Sequence, residues 1–476
     1  FRYVVATREL YCPIGHLFFE LCALPTATSK LQLTPGSRSF REWLDPPIPV
    51  YMEVYMFNWT NADRFPGEKP HLVEIGPYRF LQKRTHVNIS FQPEDSSVGY
   101  RTYSQYWFEP RGSNGSLEDT IVTLNLVACG AAYSLRFNPF IMTATAGLLS
   151  MTSPYLYVAK TVRELLFQGY EDSFLNMAKN YAPKENQPPN MDRIGLFYGR
   201  NNSLDTDGYM EVTSGTSTGL PGQALRWNHE THIPQYSGSC SQIAGTSGEF
   251  IRRNLTEEST LQMFLPDLCR TLNLEYHHSG TLDELPYHKY RMTENSFDYS
   301  PTLPANPCFC NGPCEWSGVM NVSACKYNSP TFMSLPHFLN ADPRLQEHVT
   351  GLAPDEEKHS FYISVEPKFG VPLDVAVRFQ YNVYLEPSSL YKNVPRMLFP
   401  IMWVDNHVVV NKEVTGELRT ARTVLEWGCG VCAGAAFVFA LLVVATTCFK
   451  PKKTKYSPPK DVEKPKDEAE LKLNPL

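Results

Sequence analysis

The chain has 476 residues, 42% hydrophobic and only 19% charged, which is the balance of a folded protein and enough for one large domain or two ordinary ones. Its formal net charge of −6 is too mild for a nucleic-acid-binding protein. With 38 prolines, 26 tyrosines and 27 phenylalanines, it predicts short strands and structured loops.

Residues 1–28 carry Arg2, Arg8, Glu9, His16 and Glu20, so no charge-free window is long enough to span a bilayer and no ordered signal peptide appears. They are expected to be an incomplete or altered N-terminal membrane segment. From 31 to 130 short apolar and polar runs alternate, for example over residues 50–57 and 120–127, and predict strands. Gly76-Pro77 interrupts two such runs and predicts a turn. Between Asn138 and Gly169, the spacing of Val158, Val162, Leu165 and Leu166 predicts helix, with Ser153-Pro154 as its cap and first position and Gly169 as its stop. Beyond Tyr198 short strands and Gly/Ser/Pro loops return up to Cys325, and residues 361–403 alternate as core strands. The order strands, helices, strands predicts one mixed α+β domain without internal repeats.

Residues 428–448 contain no charge, and about 21 such residues cross a hydrocarbon core of ~30 Å as a transmembrane helix. Lys450, Lys452, Lys453 and Lys455 follow and mark the cytoplasmic side. The Lys/Glu/Pro-rich tail, 449–476, is expected to be disordered and cytosolic. Within the span, Gly430 and Gly434 have the G-x3-G spacing that seats a second helix, here a homo-oligomer contact or the first span. Cys429, Cys432 and Cys448 are candidate palmitoylation sites by position.

Residues 29–427 are therefore expected to form an ectodomain. They hold six sequons, at Asn58, Asn88, Asn114, Asn201, Asn254 and Asn321, each a candidate glycosylation site. Cys129 stands alone in an apolar stretch and reads as a buried thiol. Cys240, Cys269, Cys308, Cys310, Cys314 and Cys325 cluster, and an even number in an exported domain predicts three disulfides among fifteen possible pairings. Cys308-x-Cys310-x3-Cys314 lacks the paired C-x2-C spacing of zinc sites.

Enzyme motifs fail on context. Gly215-Thr-Ser-Thr-Gly219 has the G-x-S-x-G pattern, but Pro221 and Gly222 follow where a helix is needed to present the serine. His229-Glu-Thr-His232 is one residue short of the i, i+4 spacing of a zinc-protease helix, and His277-His278 has no evident partner. Neither a phosphate-binding loop nor a cofactor motif is present, and the chain reads as a non-enzyme.

Several longer runs resemble class B scavenger receptors, the family of fatty acid translocase, croquemort and lysosomal integral membrane protein type two. They include Leu33-Thr-Pro-Gly-Ser-Arg-Ser-Phe40 with Trp43, Met56-Phe-Asn-Trp-Thr-Asn61, Glu74-Ile-Gly-Pro-Tyr-Arg-Phe80, Thr161-Val-Arg-Glu-Leu-Leu166, Gly195-Leu-Phe-Tyr198, Leu268-Cys-Arg270, Cys308-Phe-Cys310 and Ser334-Leu-Pro-His-Phe-Leu339. Residues 57–62 and 195–202 look most like the insect croquemort-like branch. The resemblance implies an antiparallel β-barrel-like core with an apical bundle of short helices, two membrane spans, and a lipid tunnel running from the apex toward the bilayer. It implies binding of lipids, lipoproteins, apoptotic cells or microbial surfaces, with transfer of fatty acid, sterol or carotenoid. The implied pairing is Cys240 with Cys308, Cys269 with Cys325 and Cys310 with Cys314; the two long loops so closed are each worth roughly 4 kcal/mol on the chain-entropy model.

The stretch matching the family's apical helix, residues 146–153, has no lysine, unlike the charged apex of some members. Leu148, Leu149, Met151 and Tyr155 are the candidate ligand surface there, suited to lipid or protein contact more than to charge steering. The expected location is the plasma membrane. The alternative is a lysosomal membrane receptor for a protein cargo, against which the tail offers no dileucine signal (Glu470-Leu-Lys-Leu473) and no tyrosine signal (Tyr456-Ser-Pro-Pro459).

Overall fold

The structure, a computed structural model, describes residues 32–46, 48–181, 192–204, 206–217, 220–292, 294–297, 306–310, 314–388 and 391–448. The expected N-terminal membrane segment and the tail lie outside them. The chain divides into two compact units, one of residues 23–419 and one of residues 1–22 with 420–476.

The larger unit is built on one antiparallel sheet. Its strands are β1 (Val50–Trp59), β2 (Leu72–Gln92), β3 (Ser97–Phe108), β6 (Tyr209–Ser214), β7 (Pro221–Trp227), β8 (Leu261–Leu265), β9 (Arg270–Leu282), β10 (Leu285–Met292), β13 (Tyr362–Glu366), β14 (Val371–Leu385) and β15 (Met397–Val409), in the order β7-β6-β3-β2-β1-β15-β14-β13-β10-β9-β8. Two short strands, β11 (Val319–Asn321) and β12 (Thr331–Ser334), attach at β14, and β4 (Thr120–Leu124) pairs separately with β5 (Tyr157–Thr161).

The two ends of the path are stitched together through residues 245–246. Ala224 N–H of β7 donates to Gly245 C=O (2.8 Å), Thr246 N–H donates to Gln262 C=O of β8 (3.1 Å), and Phe264 N–H returns to Thr246 C=O (2.9 Å). Gly245 sits at φ +82° with Gln262 backbone where a Cβ would lie, so only glycine allows the seam to close so tightly. The sheet is thus nearly closed into a barrel.

Register fixes what faces the interior, because side chains alternate along a strand. On β1, Met52, Val54 and Met56 pack with Met402 and Val404 of β15 and Phe80 of β2, whereas Tyr55 and Trp403 stack on the other face at 3.9 Å. The mid-strand Gly76-Pro77 does not turn the chain, as the pattern predicts. It forms a bulge inside β2, where register shifts opposite residues 54–56 and a Cβ on Gly76 would stand 2.8 Å from the Val54 carbonyl oxygen. Bulges accept proline because the extra residue is unpaired.

Helices cap this sheet. In α1 (Arg38–Leu44), the Ser37 hydroxyl accepts from Phe40 N–H and Trp43 is buried. In α2 (Leu126–Ser134), Asn125 accepts from Ala128 N–H; in α3 (Pro139–Thr152), Asn138 accepts from Ile141 N–H with proline at the first position. The helix predicted between Asn138 and Gly169 is therefore split. Ser153 ends α3 instead of capping a new helix, and Val158 belongs to β5, opposite Thr123. Val162, Leu165 and Leu166 are buried at and around a single helical turn, Glu164–Gln168. Tertiary pairing with β4 decides a segment whose apolar spacing fits helix locally. Likewise Leu126 and Val127, read as strand, begin α2.

Three disulfides are present: Cys240–Cys308, Cys269–Cys325 and Cys310–Cys314, with Cα–Cα distances of 5.8, 6.2 and 5.8 Å. Residues 428–448 form the C-terminal part of a helix, Lys412–Cys448. Among the described residues no helix is long and apolar enough to cross a membrane. The side chains of Cys429, Cys432 and Cys448 lie outside the described set.

Candidate functional site

The first feature is an exposed apolar face on α3. Its turn carries Phe140, Ala144, Gly147 and Met151 on one stripe, the i, i+4, i+7, i+11 spacing of a single helix face. Phe140 and Met151 are 85% and 84% exposed; Phe137 just before the helix and Tyr155 just after it are also open. The predicted surface of Leu148, Leu149, Met151 and Tyr155 needs one correction. Leu149 is buried, seven residues from buried Met142 and on the face opposite Met151. Leu148 is half-buried. Phe137, Phe140 and Ile141, which the sequence reading misses, complete the patch, and Asn138-Pro139 is the cap signal that would have placed Phe140 and Ile141 on a helix. No charged residue stands between Arg136 and Lys160, and the Arg136 guanidinium lies over the Tyr133 ring at 3.6 Å.

Beside this patch a recess of about 610 Å³ opens between Phe137, Pro139 and Met142 on one side and Tyr384, Glu386 and Arg396 on the other. It adjoins a cavity of about 20 Å³ against Cys129, Tyr133 and Tyr391. Burial pushes the Cys129 thiol up to about 12, so it stays protonated and unreactive.

The third feature is inside the barrel. On β2, Phe80, Gln82, Arg84 and His86 share the inward face, opposite Phe108, Tyr106, Ser104 and Thr102 of β3. Arg84 pairs there with Asp207. Arg200 makes two hydrogen bonds to Asp267, one of 3.1 Å, and Lys326 Nζ lies 3.5 Å from the same carboxylate. Aromatic rings continue the crossing: Tyr106 meets Phe167 at 4.9 Å, Phe167 meets Phe197 at 5.4 Å, and Phe197 meets Tyr381 of β14 at 6.2 Å. β3 and β14 are separated by three strands in the sheet, and this relay of rings links them.

Burial raises the Asp267 carboxyl and lowers the Lys326 ammonium; for Asp267 the charges of Arg200 and Lys326 outweigh burial and hold it below the usual carboxylate range. The same side chains nevertheless keep much of their surface open: 48% for Arg84 and 40% for Asp267.

On the outer face, two of the runs that carry the family resemblance meet. His337, at φ +56°, accepts from Ala353 N–H on Nδ1 (3.0 Å), which leaves Nε2–H to donate to Glu74 (2.6 Å), and Trp403 Nε1 donates to the same oxygen (2.7 Å). His359 stacks on His337 at 4.4 Å, and burial with the neighbouring His337 lowers its pKa to about 4. This cluster ties β2, β15 and the 336–359 segment together.

The rejected motifs are unremarkable here. Ser217 is exposed in the turn between β6 and β7, and His229 stacks on Tyr209. His277 and His278 touch at 2.6 Å on β9. No group of metal-ligating side chains occurs among the described residues.

Asn88, Asn114, Asn201 and Asn254 are exposed, and Asn58 is half-buried with its Oδ1 accepting from Val122 N–H. Asn321 is different: it is 2% exposed, and its Oδ1 accepts from both the backbone and the hydroxyl of Ser323. A glycan has no room on that side chain. Asn321→Gln is expected to leave the gel mobility of the secretory-pathway form unchanged, whereas Asn88→Gln removes one glycan; an N321Q shift reversed by glycosidase would contradict the buried placement.

Comparison with known proteins places these features. The family described as "CD36 family" matches residues 10–450. "Protein peste" of Drosophila melanogaster is 36% identical over 407 residues, covering 84% of this chain and 73% of that protein. "Scavenger receptor class B member 1" of Rattus norvegicus is 33% identical over 383 residues, 79% of this chain and 74% of that protein. "Lysosome membrane protein 2" of Rattus norvegicus is 30% identical over 408 residues, 84% of each.

Proposed function

Because this chain belongs to the CD36 family, we propose that it is a cell-surface scavenger receptor that binds lipids, lipoproteins, apoptotic cells or microbial surfaces and passes lipid through its barrel to the membrane. The observation that carries the reading is the charged cluster inside the nearly closed sheet, where Arg84 and Asp267 keep open surface between apolar clusters. An uncharged apolar helix face beside an open recess supports capture of a lipid surface. Fatty acid, sterol and carotenoid are the candidate cargoes.

Membrane attachment belongs to the same proposal. Residues 428–448 serve as the anchoring span, and Phe437, Val438, Phe439, Leu441, Leu442, Val443 and Val444 are all exposed on their helix, as a lipid-facing surface requires. Residues 1–28 contribute to the first span, residues 449–476 form the cytoplasmic tail, Gly430 and Gly434 seat a neighbouring helix, and Cys429, Cys432 and Cys448 take palmitate. Glycans occupy the exposed sequons.

The test is uptake by cells expressing the full-length chain. Lipid from fluorescently labelled lipoprotein is expected to accumulate several-fold above untransfected cells. No gain for lipoprotein, carotenoid or phosphatidylserine targets would reject the reading. The likeness to Lysosome membrane protein 2 supports a second one, a lysosomal membrane receptor for a protein cargo; steady-state microscopy separates the two.

A further inference from the structure

The outward face of β1, β2 and β3 is largely polar. One row across it joins Glu53, Arg79 and Glu109, with Arg79 Nε 3.8 and 3.4 Å from the two carboxylates. Two residues along, Tyr51, Leu81 and Trp107 are cross-strand neighbours in that order, and Lys83 and Gln105 form the next row. Trp107 is 46% exposed; of the seven tryptophans only Trp427, beside the proposed span, is comparably open. Trp107 also stands where the cover of β3 runs out. β6 pairs with β3 only from Ser97 to Arg101. Farther along, Ser104 N–H donates to Ser203 C=O (3.1 Å) and Tyr106 N–H to Asn201 Oδ1 (2.9 Å). The Tyr103 hydroxyl and Gln105 Nε2, both from outward-facing side chains, donate to Asn202 Oδ1 at 3.2 and 3.1 Å, which draws this turn onto the outward side of the strand. Asn201 is exposed and begins the sequon Asn201-Asn-Ser203. A glycan takes its Nδ2 and leaves Oδ1 an acceptor, so the bond to Tyr106 persists in the glycosylated protein and holds the linkage one residue along the strand from Trp107.

We propose that the first sugar of an N-glycan on Asn201 is seated on the ring of Trp107. The inference rests on the reading of residues 29–427 as a glycosylated ectodomain and gives one of its glycans a fixed place. Chemistry selects a sugar. The C–H face of a pyranose packs on the electron-rich face of an indole, while its hydroxyls and acetamide keep water or the polar neighbours Lys83 and Gln105 as partners. A lipid chain on the same ring would desolvate Arg79, Glu109 and Lys83 without pairing them. A seated glycan also covers the part of β3 that β6 leaves uncovered, which a strand from another chain could otherwise extend. Ligand capture is then left to uncovered surfaces such as the apolar face of α3.

Full-length glycoprotein would be treated under native conditions with a peptide N-glycosidase, which converts each freed asparagine to aspartate, and release would be followed site by site by mass spectrometry. Asn88, exposed on β2, is the reference. The Asn201 linkage is expected to open about tenfold more slowly than that of Asn88, the protection a contact of ordinary aromatic strength gives. Trp107→Ser should bring Asn201 level with Asn88, and Trp107→Phe, which keeps an aromatic face, should retain most of the protection. An unchanged rate at Asn88 shows that each variant is folded, and the wild-type ratio of the two sites is itself a test that needs no variant. Equal release at both sites in the wild type, or protection that survives Trp107→Ser, would show the glycan to stand clear of the ring and overturn the seat alone. An unmodified Asn201 beside glycosylated sequons elsewhere would also overturn it, whereas a chain with no glycan at any sequon would bring down the ectodomain reading itself.

Discussion

Replacing Phe140 and Met151 together by aspartate is expected to weaken binding to lipoprotein or to phosphatidylcholine vesicles by about two orders of magnitude or more while leaving the melting temperature nearly unchanged. Both side chains are exposed in the free protein, so the folded state loses little packing. Each is worth about 1.5–3 kcal/mol when taken out of water into an apolar phase. Two carboxylates in their place add a desolvation cost at the lipid surface. Leu149→Asp is the informative contrast. That side chain is 1% exposed, and its aspartate would be buried without a partner, so the protein should destabilise before any ligand is added. Vesicle co-flotation with parallel thermal melts reads both quantities. Unimpaired binding by the double variant would remove this face from the ligand surface.

The second large effect concerns the outer face of the sheet. Arg378 of β14 and Asp405 of β15 are cross-strand partners, both largely buried, with Nε–Oδ2 at 2.9 Å. The Arg378 guanidinium also donates to the carbonyls of Glu357 and Ser360, which binds the 357–360 segment to the sheet. Burial raises the Asp405 carboxyl, and Arg378 acts against that shift; Asp405 Oδ1 has no hydrogen-bond partner among the described residues. Arg378→Met leaves a buried carboxylate and two carbonyls unpaired and is expected to cost about 3–5 kcal/mol. Combining it with Asp405→Leu should restore much of that, because an apolar pair of similar volume tolerates the same site. Thermal or urea unfolding of the three proteins decides: if the double variant is no more stable than the single, the penalty lies in the lost carbonyl contacts and not in the orphaned charge.

Legibility divides along range of interaction. The strands at residues 50–57 and 375–385 were evident from alternation along the sequence, because a strand's two-residue repeat is local, although residues 382–385 prove buried on both faces. The family runs were equally local. Yet their physical basis appears only in three dimensions, where Glu74 of one run accepts from His337 of another, 263 residues away. The Asn138–Gly169 region misled because its apolar spacing suits helix, while pairing of β5 with β4 imposes strand on its middle. On α3 a four-residue window of apolar side chains could not be divided into inside and outside until the cap at Asn138 fixed the helix phase.

Sequence by itself determined the class of this protein: an α+β, antiparallel-sheet member of the CD36 family with clustered cysteines, because composition, alternation and contiguous motifs are properties of neighbouring residues. Only tertiary structure decided that Arg84, Arg200, Asp207, Asp267 and Lys326, scattered through separate segments, form one charged cluster. It also decided that Asn321 is sealed in and that Phe140, not Leu149, faces outward. The reason is that burial and proximity are set by closure of the sheet, and closure depends on contacts such as the seam at Gly245 that no local stretch of the chain encodes.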